Sequence, residues 1–275
     1  MKTTNKNCFV FDITFGKPPE VISAPITKEE QVIPNIKIKD TKNLCPYHIP
    51  TVDEIIKQIE KSAYKVNMSK LISDVFECGA IAISNKVDFT QYDKREERYK
   101  QIMSGYKPEE RQLIAEIFGK IFALLSSVVY DNGVFNDYLG DLFMKCNQGS
   151  KQNGQFFTPY HISHFMAEIT ITDDKIKKGE ILTINDCCCG GGGMLIAALD
   201  VLKNNYNVNY AMDCFIDAGD IDERCVHMTY LQLSLAGVPA IIKHQDALTR
   251  KLYGVWKTPA YIFQYMRFRK YENLN

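Results

Sequence analysis

The run Asp186-Cys187-Cys188-Cys189-Gly190-Gly191-Gly192-Gly193-Met194 joins an acid, a stretch of small residues and an apolar segment. Four consecutive glycines serve neither helix nor strand, because each loses more backbone entropy on folding than any other residue would. They suit a backbone that turns sharply or lies against a ligand. Residues 181–185 before them read as a strand and residues 194–199 after them as a helix, which makes a strand-glycine-helix nucleotide site. A plain glycine turn between strand and helix has the same pattern, so the neighbouring acids decide. Asp220 follows a strand-like run at 213–219, and Asp246 follows another at 240–243. A carboxylate can accept from both hydroxyls of a ribose, and another can accept from an exocyclic amine. Repulsion among the acids disfavours a polyphosphate, and no P-loop lysine follows the glycines. The ligand these residues fit is a nucleoside without phosphates, and S-adenosyl-L-methionine, with its sulfonium and ammonium, is one.

The elements that must position these residues alternate. From about residue 151 the chain reads as a helix starting near Pro159, the strand before Asp186, a helix to Leu202, the strand before Asp220, a helix from Glu223 to about Ala236, and the strand before Asp246. Alternation of this kind implies parallel strands with right-handed crossovers, whose ligands lie across the carboxyl ends. Residues 51–147 read instead as helices. Thr51 or Asp53 can cap the first and Ser69 the next, a solvated polar segment covers 88–100, Pro108 opens a long apolar helix, and Asn136 caps the last. Residues 148–153 have the composition of a hinge. Prolines at 18, 19, 25, 34, 46 and 50 make residues 1–50 an extended arm, in which the alternation around residues 8–11 could add an edge strand.

Composition bounds the function. Lys plus Arg and Asp plus Glu are 33 each, so the whole-molecule field argues for neither nucleic acid nor membrane. The polar start and the absence of any run approaching a membrane span point to a cytoplasmic protein without a membrane partner. Nine cysteines, three of them adjacent, match neither a disulfide framework nor a metal site. Residues 250–275 hold Arg250, Lys251, Lys257, Arg267, Arg269 and Lys270 against the single acid Glu272, interleaved with aromatics that include Trp256 and Tyr271. That mixture suits phosphates and stacked bases, and also a strand and helix with a basic solvated face.

At these residues the chain resembles the adenine-N6 DNA methyltransferases, especially the modification subunits of type I restriction systems and phage methylase-like proteins. Gly154-Gln155-Phe156-Phe157-Thr158-Pro159 is similar to that family's G-Q-F/Y-F/Y-T-P segment. Asp186 to Gly193 is similar to its D-P-x-C-G-S-G-G turn, with Cys187 in place of proline and Gly191 in place of serine. The resemblance implies a Rossmann-like class I methyltransferase sheet preceded by a helical domain. It implies a cofactor site for S-adenosyl-L-methionine built from Gln155, Phe157, Thr158, Asp186, Cys188, Gly190, Gly192, Asp220, Ile221, Asp246 and Ala247. Thr158 would meet the methionine carboxylate, Asp186 and Gly190 the methionine moiety, Asp220 the ribose, Ile221 the adenine face and Asp246 its amine. The family's N/D-P-P-F/Y motif, which holds and stacks the flipped adenine, has one counterpart here, Thr258-Pro259-Ala260-Tyr261. It lacks the amide or acid and the second proline, and it makes Thr258, Pro259 and Tyr261 the catalytic candidates. Twelve residues follow Phe263, so the sheet is expected to be C-terminally truncated.

The expected organisation is therefore an arm at 1–50, a helical domain at 51–150 and the cofactor-binding domain at 151–275. The expected function is DNA adenine-N6 methylation in a bacterial or phage-infected cell, with DNA and a specificity subunit or other protein as partners. The alternative is a catalytically inactive relative that engages DNA or a host defence protein. A Rossmann enzyme acting on small molecules is the third reading.

Overall fold

The computed structural model describes residues 11–16, 48–62, 67–130, 133–146, 156–177 and 179–268. The arm lies outside them apart from residues 48–50 and the strand β1 (Phe11–Gly16), which begins at the last residue of the expected edge strand. The hinge at 148–153 lies outside them too, as do Gln155, Arg269, Lys270 and Tyr271.

Helix α1 (Val52–Ser62) opens on a reciprocal cap at Thr51. The Glu54 backbone N–H donates to Thr51 Oγ1 at 3.3 Å and the Thr51 N–H donates to the Glu54 carboxylate at 2.8 Å. Helix α2 (Met68–Ser84) is capped by Asn67, whose Oδ1 accepts from the Lys70 N–H at 3.0 Å. Ser69, the expected cap, lies one residue inside the first turn. Helix α3 (Tyr92–Ser104) corrects the expectation of a solvated segment at Arg95. That guanidinium is buried, bonds Ser84, pairs with Asp88 at 2.9 Å, donates to the Val255 carbonyl and stacks 4.0 Å from the Trp256 ring. Helix α4 (Pro108–Tyr130) is long and apolar enough to cross a membrane by length and composition, contrary to the sequence reading. In the structure it packs on α1 and α2 and buries Ile114, Ile117, Ile121, Leu125 and Val128. Helix α5 (Tyr138–Cys146) is capped by Asp137, not Asn136, through a 3.0 Å bond from the Gly140 N–H.

The remaining elements are α6 (Tyr160–Thr170), β2 (Ile181–Asp186), α7 (Gly193–Asn204), α8 (Tyr210–Asp213), β3 (Cys214–Asp220), α9 (Glu223–Leu235), β4 (Ala240–Asp246), β5 (Lys251–Lys257), α10 (Pro259–Phe263) and α11 (Tyr265–Phe268). They make one sheet in the order β1-β2-β3-β4-β5. Strands β2, β3 and β4 are parallel, while β1 and β5 run antiparallel along the two edges. The class is α/β with a helical N-terminal part and Rossmann-like alternation, as expected.

Strand alternation divides the core. Leu182, Ile184, Cys214, Ile216, Ala240 and Ile242 point to the face covered by α7 and α9, and their cluster continues without a break into α1, α2, α4 and α5. Ile181, Phe215 and Ile241 point to the other face, where Tyr261 and Phe268 from the short C-terminal helices cover them. On that second face Lys243 pairs with Asp217 at 2.8 Å. Trp256 belongs to the core of the first face, stacked edge-on to His227 and against Tyr230. It is buried and unavailable for stacking on a base, and Arg267 of the basic tail pairs with Asp213 at 3.4 Å.

Candidate cofactor site

Strand β2 delivers Asp186 to the carboxyl end of the sheet, and residues 187–192 turn the chain into α7. The turn is fastened on every side. The Cys189 N–H donates to the Gly219 carbonyl at 2.9 Å, and the Gly192 N–H to the Cys189 carbonyl at 2.9 Å. From α9, Thr229 Oγ1 donates to the Gly190 carbonyl at 2.9 Å and Gln232 Nε2 to the Gly191 carbonyl at 2.7 Å. Two of the glycines are dictated by geometry. Gly190 has φ 55° and Gly192 has φ 91°, both in the left-handed region. A Cβ at Gly190 would lie 3.2 Å from the Phe157 ring, and one at Gly192 would lie 3.1 Å from Thr229.

The acids arrive as the alternating topology requires. Asp186 Oδ1 accepts from the Cys188 N–H at 3.1 Å, while Asp220 accepts from Gly190 N–H and Asp222 N–H, both at 2.9 Å. Burial, with a smaller push from Asp220, raises the Asp186 pKa to about 6. Burial also raises that of Asp220 above the ordinary carboxylate value. Asp246 differs. It accepts from the Leu248 and Thr249 N–H groups at 2.9 and 3.2 Å, and the Thr249 side chain, ahead of these two N–H groups, lowers its pKa.

A cleft of 270 Å³ opens between the turn and the segment before α6. Phe156, Phe157, Thr158, Ser163 and Met166 line one side, and Asp186, Cys187, Cys188 and Gly190 the other, with Asp137 and Gly193 also in the wall. Phe157 stands against Phe143 with ring centroids 5.6 Å apart. Thr158, Phe157, Asp186, Cys188 and Gly190 thus come together, with Gly192 buried beneath them. Ile221 is exposed beyond Asp220, and Asp246 and Ala247 stand at the end of β4, outside the cleft. His244 ties these two strand ends, its Nε2 lying 3.1 Å from the Ile221 carbonyl oxygen. Gln155 lies outside the described residues.

Thr258, Pro259 and Tyr261 are not brought to this site, which corrects the catalytic expectation. Strand β5 runs back along β4, so that Lys257 pairs with Ile241 and Thr258 reaches the amino end of the parallel strands. Thr258 is fully buried there, where its Oγ1 donates to the Val238 carbonyl at 2.7 Å and accepts from the Ala240 N–H at 2.9 Å. It caps α10, whose first residue is Pro259. Tyr261 is fully buried beside Phe215. A cavity of 630 Å³ lies on that side, lined by Lys243, Lys257, Tyr261 and Tyr265 among others, and it contains neither the glycine turn nor the strand-end acids.

Sequence reasoning missed Asp137, which it placed inside the last helix of the bundle. Among the described residues it is the acid at once most deeply buried and in the cleft wall. The signal available was an Asp three residues ahead of Gly140, the spacing of a cap to the N–H it accepts.

A cleft of glycines, acids and aromatic rings at the carboxyl ends of parallel strands is the arrangement from which family membership can be judged. Residues 134–268 match the model of the family described as N-6 DNA Methylase. This part of the chain is similar to that family. The match covers the cleft wall at Asp137, the glycine turn and all three strand-end acids. A crystal structure of the type I restriction-modification system methyltransferase subunit from Streptococcus thermophilus is similar at 18% identity and a TM-score of 0.39. The similarity covers 74% of this chain and 41% of that one, so it spans less than half the length of that subunit. No curated protein matches the chain.

Proposed function

We propose that the chain binds S-adenosyl-L-methionine at the glycine turn and serves methylation of adenine N6 in DNA. The observation that carries this reading is the cleft itself. Among the described residues, its wall contains no lysine, arginine or histidine, while Asp137 and Asp186 bring carboxylates into it. Such a wall favours a ligand that carries positive charge and disfavours phosphates.

When bound, the cofactor supplies an electrophilic methyl group on a sulfonium. This chain's residues would hold and orient it. Thr158 would meet the methionine carboxylate, Asp186 and the N–H groups of the turn the methionine moiety, and Asp220 the ribose hydroxyls. Ile221 would cover the adenine and Asp246 with Ala247 its amine edge. Gly190 lets the ligand approach the backbone where a side chain would already crowd Phe157. Orientation of the methyl toward the incoming amine is the main contribution such a site can make. DNA is the proposed substrate, and a specificity subunit or other protein the proposed partner. Residues 156–268 form the proposed cofactor-binding unit and α1 to α5 the proposed helical unit.

A second reading has its own observation. Thr258 and Tyr261 lie at the opposite end of the sheet, so the described residues at the cleft offer no counterpart to the family's base-holding motif. This favours a relative that keeps the cofactor site and engages DNA or a host protein without transferring a methyl group. Calorimetric titration with S-adenosyl-L-methionine tests the cofactor reading, and absence of binding overturns it. Transfer of tritiated methyl to unmodified DNA, against an Asp186→Ala control, separates the two readings.

A further inference from the structure

Asp137 reaches the cleft from the helical layer. It is 6% exposed, and its Oδ1 is committed, accepting from the Gly140 N–H at 3.0 Å and from Gln232 Nε2 at 2.8 Å. Oδ2 has no hydrogen-bond donor among the described residues and faces the first residue of α7, where a Cβ on Gly193 would come within 2.7 Å of it. Burial raises the Asp137 pKa, the cost of keeping an under-bonded carboxylate away from water. A buried carboxylate in the wall of a ligand cleft, with one oxygen bonded and the other without a donor, lacks a cationic partner. The second unfilled group in the same wall is Ser163 Oγ, fully buried and without a partner. Thr158 lies in the same wall. An acid free to accept and hydroxyls free to donate match the two ends of an amino-acid zwitterion.

We infer that Asp137 is a ligand-contacting residue of the cleft, whose Oδ2 seats the α-ammonium of the cofactor's methionine portion, while Ser163 Oγ donates to its carboxylate. The inference rests on the cofactor reading above and adds to it a ligand from outside the strand-end acids. It also gives Gln232 a role, since one Nε2 group spans Asp137 Oδ1 and the Gly191 carbonyl and so keeps the acid and the turn in fixed relation.

The test is Asp137→Asn, which preserves the shape and the Oδ1 acceptor for Gly140 and Gln232. Wild-type and variant are titrated with S-adenosyl-L-methionine and with 5′-methylthioadenosine, which shares the nucleoside but has no amino-acid group. The variant should bind S-adenosyl-L-methionine about 10- to 100-fold more weakly, the loss of a charge-assisted bond, and bind 5′-methylthioadenosine as wild-type does. Equal weakening for both ligands would mean that Asp137 only shapes the turn, and no weakening would mean that the ammonium sits elsewhere. Either result overturns the inference while leaving the cofactor reading intact. Wild-type protein that binds neither ligand overturns the cofactor reading itself. If the Asn variant does not fold, wild-type protein is titrated with an S-adenosyl analogue in which hydrogen replaces the α-amino group. Affinity equal to that of the natural cofactor then overturns the inference, and an affinity at least about tenfold weaker supports it.

Discussion

The Gly190 backbone N–H donates to Asp220 Oδ2 at 2.9 Å, so the end of β3 sets the shape of the turn that follows β2. The same carboxylate accepts from the Asp222 N–H through its other oxygen. Asp220 therefore braces two strand ends before any ligand arrives.

Asp220→Ala should act twice. It should weaken S-adenosyl-L-methionine binding by roughly 1 to 3 kcal/mol through lost bonds to the ribose. It should also lower the unfolding free energy by about 1 to 2 kcal/mol, because two N–H groups lose a partly buried acceptor. Calorimetric titration measures the first and urea unfolding the second. An unchanged affinity in a folded variant would place the ribose elsewhere.

The pH dependence of binding should report Asp186. Its folded pKa, about 6, lies above the ordinary 3.8, so between those values the native state holds a proton that the unfolded chain has released. Stability of the ligand-free protein should accordingly fall as pH rises through this window. A cationic ligand favours the ionised carboxylate, so affinity for S-adenosyl-L-methionine should rise with pH to about 6 and then flatten. Asp220, also raised by burial, acts in the same sense. Titrations from about pH 5 to about pH 7.5 should show a clearly smaller slope for Asp186→Asn, and identical slopes would remove Asp186 from the site.

Gly192→Ala should destabilise the fold by about 1 to 2 kcal/mol from the left-handed backbone alone, with an added penalty from the contact with Thr229. A Thr229→Ser, Gly192→Ala double variant should recover part of that added penalty. Thermal unfolding of the three proteins gives the comparison, and an Ala variant as stable as wild-type would contradict the turn geometry.

Thr258→Val should cost roughly 1 to 3 kcal/mol of stability, since the Ala240 N–H loses its buried side-chain acceptor and the Val238 carbonyl its donor. Cofactor affinity should not change. Trp256→Ala should cost about 3 to 5 kcal/mol as a core truncation, with no selective loss of single-stranded DNA binding. Chemical denaturation beside gel shifts at low salt checks both. A stable Trp256→Ala protein that lost only single-strand affinity would return the indole to the surface.

The parallel part of the sheet was legible because each strand is a short apolar run that ends in an acid and leads into a helix, as at Ile181 to Asp186 and Cys214 to Asp220. What misled was direction. Composition allows a strand before Thr258 without saying which way it runs, and reading Thr258 to Tyr261 as the base-holding motif takes that strand to end at the cleft. The spacing held the answer, because residues 247–250 are four residues between Asp246 and Lys251, enough for a hairpin and far too few for a parallel crossover. Arg95 and Asp137 were hidden for a different reason. Arg95 in a polar stretch reads as solvated and Asp137 as an ordinary helix position until tertiary packing supplies their partners, here Trp256 with Val255 for one and Gln232 for the other.

Helix α9 has two clients. One side of it is built into the core shared with α2 and α4, while Thr229 and Gln232 on the same helix hold the carbonyls of the glycine turn. Unfolding the helical layer would strip α9 of its wall and release the turn with it, so local opening on one side is tied to local opening on the other. A ligand of the turn present at 100 times its dissociation constant adds about 2.7 kcal/mol to the cost of every opening that destroys its site. Much of that protection would appear far from the ligand, as slower amide exchange in α2.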